Sequence, residues 1–132
     1  MSGHPNAEIV RTFFERFSRG DVGGLVSLFA DDAVWRVPGA NSMTGTYQGR
    51  EEILAFLRRT AELTAGTYRV ELLWVVADDE HTVAVYRAQG ERDGRVPLDI
   101  EQALLVELEQ GRWKLVRAQP LDQAAFDAFW ND

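Results

Sequence analysis

The chain of 132 residues contains no cysteine, which excludes disulfides, thiol catalysis and cysteine-ligated metals. Only two histidines are present, His4 and His81, so a histidine-rich zinc site is not expected. The 14 Lys and Arg residues are outnumbered by 21 Asp and Glu residues, which gives a net charge of -7. This balance disfavours nucleic acids and anionic membranes as partners. We expect no metal and no other cofactor.

Long apolar runs are absent as well, since none reaches the roughly 18 residues of a bilayer-spanning helix. The segment MSGHPNAEIV lacks the charged region and the long apolar stretch of a secretory signal. We therefore expect a cytoplasmic protein. What the chain does have is apolar material, because 45% of its residues are hydrophobic, including seven Phe and four Trp. Its length predicts one domain over residues 1–132 with a real core.

Apolar residues recur at helical spacing in three early segments. The first covers residues 6–19, with Asn6 suited to the N-cap position. A second, short helix is expected after Asp21, whose carboxylate is suited to cap it. A third is expected from Gly49 to about Leu63, with acidic residues in its first turn as the helix dipole favours.

The remaining segments predict strands. Residues 33–37 form a short apolar strand, and residues 38–48 have the composition of a polar loop. From Gly66 the apolar period changes to two, and turn sequences separate four strands near residues 68–76, 81–91, 95–109 and 112–119. A short helix follows over residues 121–130. This order predicts an α+β fold, a cone-shaped curved antiparallel sheet wrapped around N-terminal helices.

The sheet face turned away from the helices is predicted to be apolar too. Alternation assigns to it Leu73, Val75, Ala84, Tyr86, Ala103 and Leu105. A face this apolar needs a cover, and the simplest cover is a second copy of the chain. We expect a homodimer packed through its sheets.

Several segments together carry a family resemblance: FADDAVWRVPG, TYQGREEI, the DDEH turn, EQGRWKL and PLDQAAFDAFW. With them the chain resembles the SnoaL-like, ketosteroid-isomerase-related branch of the nuclear transport factor 2-like superfamily over nearly its whole length. The resemblance implies the cystatin-like cone. It implies no single activity, because that superfamily includes isomerases, epoxide hydrolases, polyketide cyclases, dehydratases and non-catalytic binding proteins.

The catalytic residues that the resemblance implies for ketosteroid isomerases are replaced in this chain. Their catalytic Asp precedes the proline after the first strand, where this sequence has Val37, and their helical Tyr corresponds to Phe13. Their oxyanion-hole Asp falls near Gln102, which donates a hydrogen bond but does not titrate. The steroid-isomerase mechanism is therefore disfavoured.

The hydrolase and cyclase motifs are changed in the same way. The Arg-x-Asp pair of limonene epoxide hydrolases reads Arg87-Ala88-Gln89 here. Their second Asp, and the acid/base Asp of polyketide cyclases, fall near Gln119. Because amides replace these carboxylates, the resemblance identifies no general base.

A polar set among aliphatic walls is the remaining candidate site. If the alternating faces of the late strands line the cone, the residues predicted to bind a ligand are Trp35, Arg36, Arg87, Gln89, Gln102, Arg117 and Gln119. Guanidinium groups there would suit an anionic or carbonyl-rich ligand. Two alternatives stay open: Arg87 pairs with Glu101 or Asp99 across the sheet, or a one-residue shift turns Arg36 outward.

Three functions remain open at this point. The first is a small-molecule pocket protein of isomerase, cyclase or hydrolase type, which polarises an oxygen through Arg87, Gln102 and Arg36. The second is a non-catalytic binding module for an anionic or apolar metabolite. The third is a dimeric interaction domain with an incidental cavity. A carboxylate inside the cavity would favour an enzyme, and its absence would favour binding.

Overall fold

The computed structural model describes residues 4–131 of the chain. Residues 1–3 of the expected N-terminal tail lie outside this range. Three α-helices, a short 3-10 helix and six strands follow one another along the described residues. In chain order they are α1 (Pro5–Ser18), the 3-10 helix (Gly23–Leu28), β1 (Phe29–Val37), β2 (Gly45–Gln48), α2 (Gly49–Leu63), β3 (Arg69–Ala77), β4 (His81–Gly90), β5 (Leu98–Glu109), β6 (Arg112–Pro120) and α3 (Gln123–Trp130).

The six strands form one sheet in the order β2-β1-β6-β5-β4-β3. All neighbouring strands are antiparallel except β1 and β6, which are parallel. The expected α+β fold with a curved sheet and packed helices is therefore confirmed. The sequence did not predict β2, because its four residues are polar or small and pair only with the end of β1.

The helices differ from expectation in local detail. α2 runs from Gly49 to Leu63, as the pattern predicts. α1 begins one residue earlier than predicted, because His4 rather than Asn6 is its N-cap and accepts a hydrogen bond from the Asn6 N–H at its ring Nδ1. The second segment forms a 3-10 helix, and the Asp21 carboxylate accepts from the Gly24 N–H beside its start.

One face of the sheet, here called the inner face, packs against α1 and α2 around the apolar core. α1 crosses β3 and β4, where Ala84 and Ala88 are fully buried and small enough to let the helix approach. The Phe14 ring of α1 lies 5.0 Å from the Tyr86 ring, centroid to centroid. The inner face of β4 therefore includes Thr82, Ala84, Tyr86 and Ala88.

The opposite face, here called the outer face, differs from the predicted set. Leu73, Ala103 and Leu105 do lie on it, but the placement of Val75, Ala84 and Tyr86 was wrong, because all three contact the core. A bulge between Leu72 and Trp74 shifts the alternation of β3 by one residue. In β4 both alternating sets contain aliphatic residues, and only the polar Arg87 and Gln89 at the end of one set indicate which set faces solvent.

Candidate functional site

A cavity lies between the inner face of the sheet and the helices that cover it. α1 contributes phenylalanines, α2 contributes Phe56, Leu57 and Thr60, and α3 contributes Phe126 and Trp130. The complete lining is Phe13, Phe14, Phe17, Trp35, Val37, Met43, Phe56, Leu57, Thr60, Tyr68, Val70, Tyr86, Gln102, Leu104, Ala118, Phe126 and Trp130.

The cavity is small and narrow. Its volume is about 40 Å³, which is room for about three water molecules. An engineered cavity of about 150 Å³ binds benzene in another protein. The present cavity is therefore smaller than one benzene ring requires, and a ring binds only if the lining side chains move.

Among residues 4–131, no charged side chain lines the cavity. The described part of the chain places no carboxylate there to act as a general base and no cation to neutralise an anion. Isolated charges are costly to bury without such a partner. Within residues 4–131, no three His, Cys, Asp or Glu residues are grouped to hold a metal ion. The arrangement therefore favours neutral, mainly apolar molecules.

The polar part of the lining is centred on Gln102 of β5 and Tyr86 of β4, which are direct cross-strand partners. The Gln102 Nε2 donates to the Tyr86 hydroxyl oxygen at 2.6 Å. The Gln102 Oε1 is buried and accepts no hydrogen bond from the described residues. This amide is therefore only half satisfied within the protein, although buried polar groups normally find partners.

Both tyrosines of the lining are protonated at neutral pH. Burial raises the pKa of the Tyr86 hydroxyl well above its usual value, although the hydrogen bond from Gln102 opposes this shift. Burial also raises the pKa of Tyr68, and the nearby Tyr86 adds to this rise. Each hydroxyl keeps a proton that it can donate within the cavity.

Two of the predicted site residues, Trp35 and Gln102, do line the cavity. Trp35 is 4% exposed and packs against Phe13, with ring centroids 5.9 Å apart, and against Phe56, with centroids 5.6 Å apart. Its indole Nε1 has no hydrogen-bond partner among the described residues. The structure brings Trp35 and Gln102 to one cavity.

Arg87 and Gln89 do not face the cavity, so their expected placement inside the cone was wrong. They alternate with Tyr86 and Ala88 along β4 and therefore lie on the outer face. Arg87 is exposed and donates from Nε and Nη2 to the two carboxylate oxygens of Asp99, both at 2.7 Å. This is the cross-strand pairing that the sequence analysis left open.

Arg36, Arg117 and Gln119 also lie on the outer face, which corrects their expected position. Arg36 and Arg117 are register partners on β1 and β6 and are exposed. Arg117 donates to the Glu107 carboxylate at 3.2 Å. Gln119 is exposed, and its Nε2 donates to the carbonyl of Pro120. The alternation that buries Trp35 and Val37 on the inner face turns Arg36 outward.

Tyr86, Met43 and the aromatic residues Phe126 and Trp130 of α3 also line the cavity, although they are not among the predicted site residues. The inward orientation of Tyr86 was predictable, because the residues that alternate with it along β4 include the long polar side chains of Arg87 and Gln89. Such side chains favour the solvent side of a sheet. Met43 and α3 carried no comparable signal, because both reach the cavity through the packing of distant segments.

Hydrogen bonds hold α3 over the cavity. The Asp127 carboxylate Oδ1 accepts from the Asn41 Nδ2 at 2.7 Å, from the Ala40 N–H at 3.1 Å and from the Gln123 Nε2 at 3.1 Å. These donors, that of Asn41 first, hold the pKa of Asp127 below its usual range. The N–H and Oγ of Ser42 both donate to the Trp130 carbonyl. The loop after β1 therefore fixes the helix that covers the cavity.

Comparisons with known proteins agree with the fold. The family model described as SnoaL-like domain matches residues 10–116. An uncharacterised protein of Mycobacterium tuberculosis is 35% identical over 131 residues, covering 98% of this chain and 99% of that protein.

Solved structures show the same fold. Bal32a, from a soil-derived mobile gene cassette, is 34% identical with a TM-score of 0.92, and the match covers 96% of this chain and 97% of Bal32a. A protein of unknown function with a cystatin-like fold from Xanthomonas campestris is 25% identical with a TM-score of 0.89, covering 96% and 98% of the two chains.

Proposed function

The chain belongs to the SnoaL-like domain family, and from this premise we propose that it binds a small, neutral, mainly apolar molecule without transforming it. The observation that carries this proposal is a cavity with an aromatic and aliphatic lining that includes no charged group. Membership of the SnoaL-like domain family supports a small-molecule pocket, and two structures described as putative polyketide cyclases share the fold. The absence of a general base from the lining supports binding rather than catalysis.

An anionic ligand is disfavoured by the same geometry. Arg36, Arg87 and Arg117 suggested such a ligand, but all three lie on the outer face. Burying a carboxylate among the aromatic side chains of this cavity would cost several kcal/mol without a cation beside it. We therefore do not propose carboxylate or phosphate recognition.

The test measures binding of ethylbenzene, an uncharged single-ring probe that enters the cavity only if the lining side chains move. We expect it to raise the melting temperature and to change the tryptophan fluorescence, because Trp35 and Trp130 line the cavity. The expected dissociation constant is below about 1 mM, which requires about 0.5 kcal/mol per heavy atom of the ligand. No binding at that concentration overturns the proposal.

A pair of variants locates the bound probe. Ala118→Leu adds side-chain atoms to a lining residue and should abolish the ethylbenzene signal by filling the cavity. Ala124→Leu adds the same atoms to an exposed position of α3 and should leave binding unchanged. Equal binding to both variants would place the probe outside the cavity.

A second proposal concerns assembly, because the outer face carries an apolar patch. Trp74 and Val76 of the edge strand are 51% and 57% exposed, and Leu73 and Leu105 are 42% and 38% exposed. Charged pairs border this patch, Arg87 with Asp99 on one side and Arg117 with Glu107 on the other. An apolar centre with a polar rim is the anatomy of a protein interface, and we propose a homodimer packed through this face.

A further inference from the structure

The unpaired hydrogen-bonding groups of Gln102 and Tyr86 restrict the class of ligand that the cavity can bind. The Gln102 Nε2 already donates to the Tyr86 hydroxyl oxygen, and the Gln102 Oε1 is a buried acceptor without a donor. The Tyr86 hydroxyl accepts this bond, and no acceptor for its own proton is present among the described residues. Both residues line the cavity, and together they leave one donor and one acceptor unpaired among the described residues.

We propose that the ligand carries a neutral hydroxyl group, which accepts from the Tyr86 hydroxyl and donates to the Gln102 Oε1. This inference rests on the proposed function, because it assigns the polar end of the molecule that the cavity binds. A hydroxyl has one donor and two acceptor positions, so one oxygen atom meets both needs. A ketone accepts from Tyr86 but leaves the Gln102 Oε1 without a partner.

Because Gln102 and Tyr86 are buried, the difference in affinity between an alcohol and a ketone should be measurable. Gln102 is 3% exposed and Tyr86 is 5% exposed, so bulk water does not substitute for a missing partner. A site with a buried acceptor rejects ligands that cannot donate to it, because the acceptor then stays unpaired. The raised pKa of Tyr86 keeps its phenol protonated, and the hydroxyl therefore remains a donor across the neutral range.

The surrounding side chains determine what can be attached to the hydroxyl. Leu104 and Ala118 of the sheet, Phe14 of α1 and Phe126 of α3 line the same cavity and offer only apolar contacts. The ligand class is therefore a small alcohol or phenol with one apolar ring or a short branched chain. An acid of the same skeleton would place its charge among these apolar groups, which is unfavourable.

The experiment compares three uncharged molecules with the same carbon skeleton: ethylbenzene, 1-phenylethanol and acetophenone. Their affinities are measured by calorimetry and by tryptophan fluorescence with the full-length protein. We expect 1-phenylethanol to bind about tenfold more tightly than acetophenone, because only the alcohol pairs with the Gln102 Oε1. The Gln102→Leu variant should reduce this ratio to about one and retain ethylbenzene binding.

The results separate a failure of the hydroxyl inference from a failure of the proposed function. A preference for acetophenone overturns the hydroxyl inference and indicates that the Gln102 amide turns its NH₂ towards the ligand. Equal binding of alcohol and ketone, with ethylbenzene still bound, also overturns it while the proposed pocket function stands. Absence of binding for all three molecules overturns the proposed function itself.

A second variant keeps the test informative if Gln102→Leu changes the fold. Tyr86→Phe removes only the hydroxyl from a buried ring that packs against Phe14. It should weaken the binding of 1-phenylethanol and of acetophenone by a similar factor, since both accept from this hydroxyl. The affinity for ethylbenzene, which forms no hydrogen bond, should change less. A Tyr86→Phe protein with wild-type affinity for the alcohol would overturn the proposed contact.

Discussion

Arg87 and Asp99 form a two-point ion pair across β4 and β5, with the Arg87 Nε and Nη2 each 2.7 Å from a carboxylate oxygen of Asp99. Both side chains are about half exposed and lie on the outer face. The Asp99 carboxylate raises the pKa of Arg87, and Arg87 lowers that of Asp99. The most conspicuous polar pair of the sheet is therefore separated from the cavity by the sheet itself.

Replacing Arg87 should accordingly leave the cavity unaffected. We expect Arg87→Ala to change the melting temperature little, because exposed ion pairs are screened by solvent. The same variant should bind ethylbenzene and 1-phenylethanol with wild-type affinity in calorimetric titrations. Loss of binding in Arg87→Ala, with the far-ultraviolet spectrum unchanged, would show that the outer face takes part in ligand binding.

Removal of the half-satisfied amide should not destabilise the protein. Gln102→Leu replaces a buried polar side chain by an apolar one of similar volume, next to Leu104 and Tyr86. We expect the free energy of unfolding to stay within about 1 kcal/mol of wild type or to rise, since an unpaired acceptor is removed. Urea denaturation measures this, with Leu104→Ala as a control that should cost about 2–5 kcal/mol through cavity formation.

The hydrogen bonds around Asp127 predict an acid-sensitive contribution to stability. The pKa of Asp127 is lowered in the folded chain, so its contribution is complete above the unfolded value of about 3.9 and is lost as the pH falls through the lower folded value. At pH 7 Asp127→Asn should be about 1 kcal/mol less stable than wild type.

Thermal unfolding of both proteins between about pH 2 and pH 7 tests this prediction. The difference in stability should shrink on acidification, because protonated Asp127 loses the advantage over asparagine. Asp93→Asn, an exposed change in the β4–β5 loop, serves as the control. A difference that stays constant over the whole range would contradict a charged contact between α3 and the loop after β1.

The apolar patch of the outer face predicts the oligomeric state. Sedimentation velocity at micromolar concentration should show a dimer for the wild type. Trp74→Asp should give a monomer, because it places a charge at a half-exposed aromatic residue in the patch. Val96→Asp, at an 83% exposed position outside the patch, should remain dimeric. A monomeric wild type would contradict the proposed interface.

Much of the fold was predictable from local patterns. The apolar stripe that contains Ile53, Leu54 and Leu57 predicted the bounds of α2 correctly, and these three residues are buried. The turns at Asp78–Glu80 and Gln110–Gly111 separate strands close to where the sequence places them. β2 was not predictable, because its pairing with β1 rather than its own composition makes it a strand. Within residues 4–131, no helix has the length and apolar character needed to cross a membrane.

The candidate site was only partly predictable. Gln102 stood out in the sequence because a buried amide needs a partner, and the structure supplies one in Tyr86. The arginines were assigned to the cavity because alternation groups residues by face without saying which face is inside. In β4 both sets contain aliphatic residues, and in β3 the bulge at Leu73 interrupts the alternation.

The sequence by itself determined the order of helices and strands, the excess of negative charge and the absence of cysteine chemistry. It also determined which residues share a strand face, because side chains alternate along a strand. Only the tertiary structure decided that the face with Tyr86 and Gln102 is covered by α1 and that the face with Arg87 is not. The physical reason is that burial depends on which element packs against the sheet, and that contact joins segments far apart in the chain.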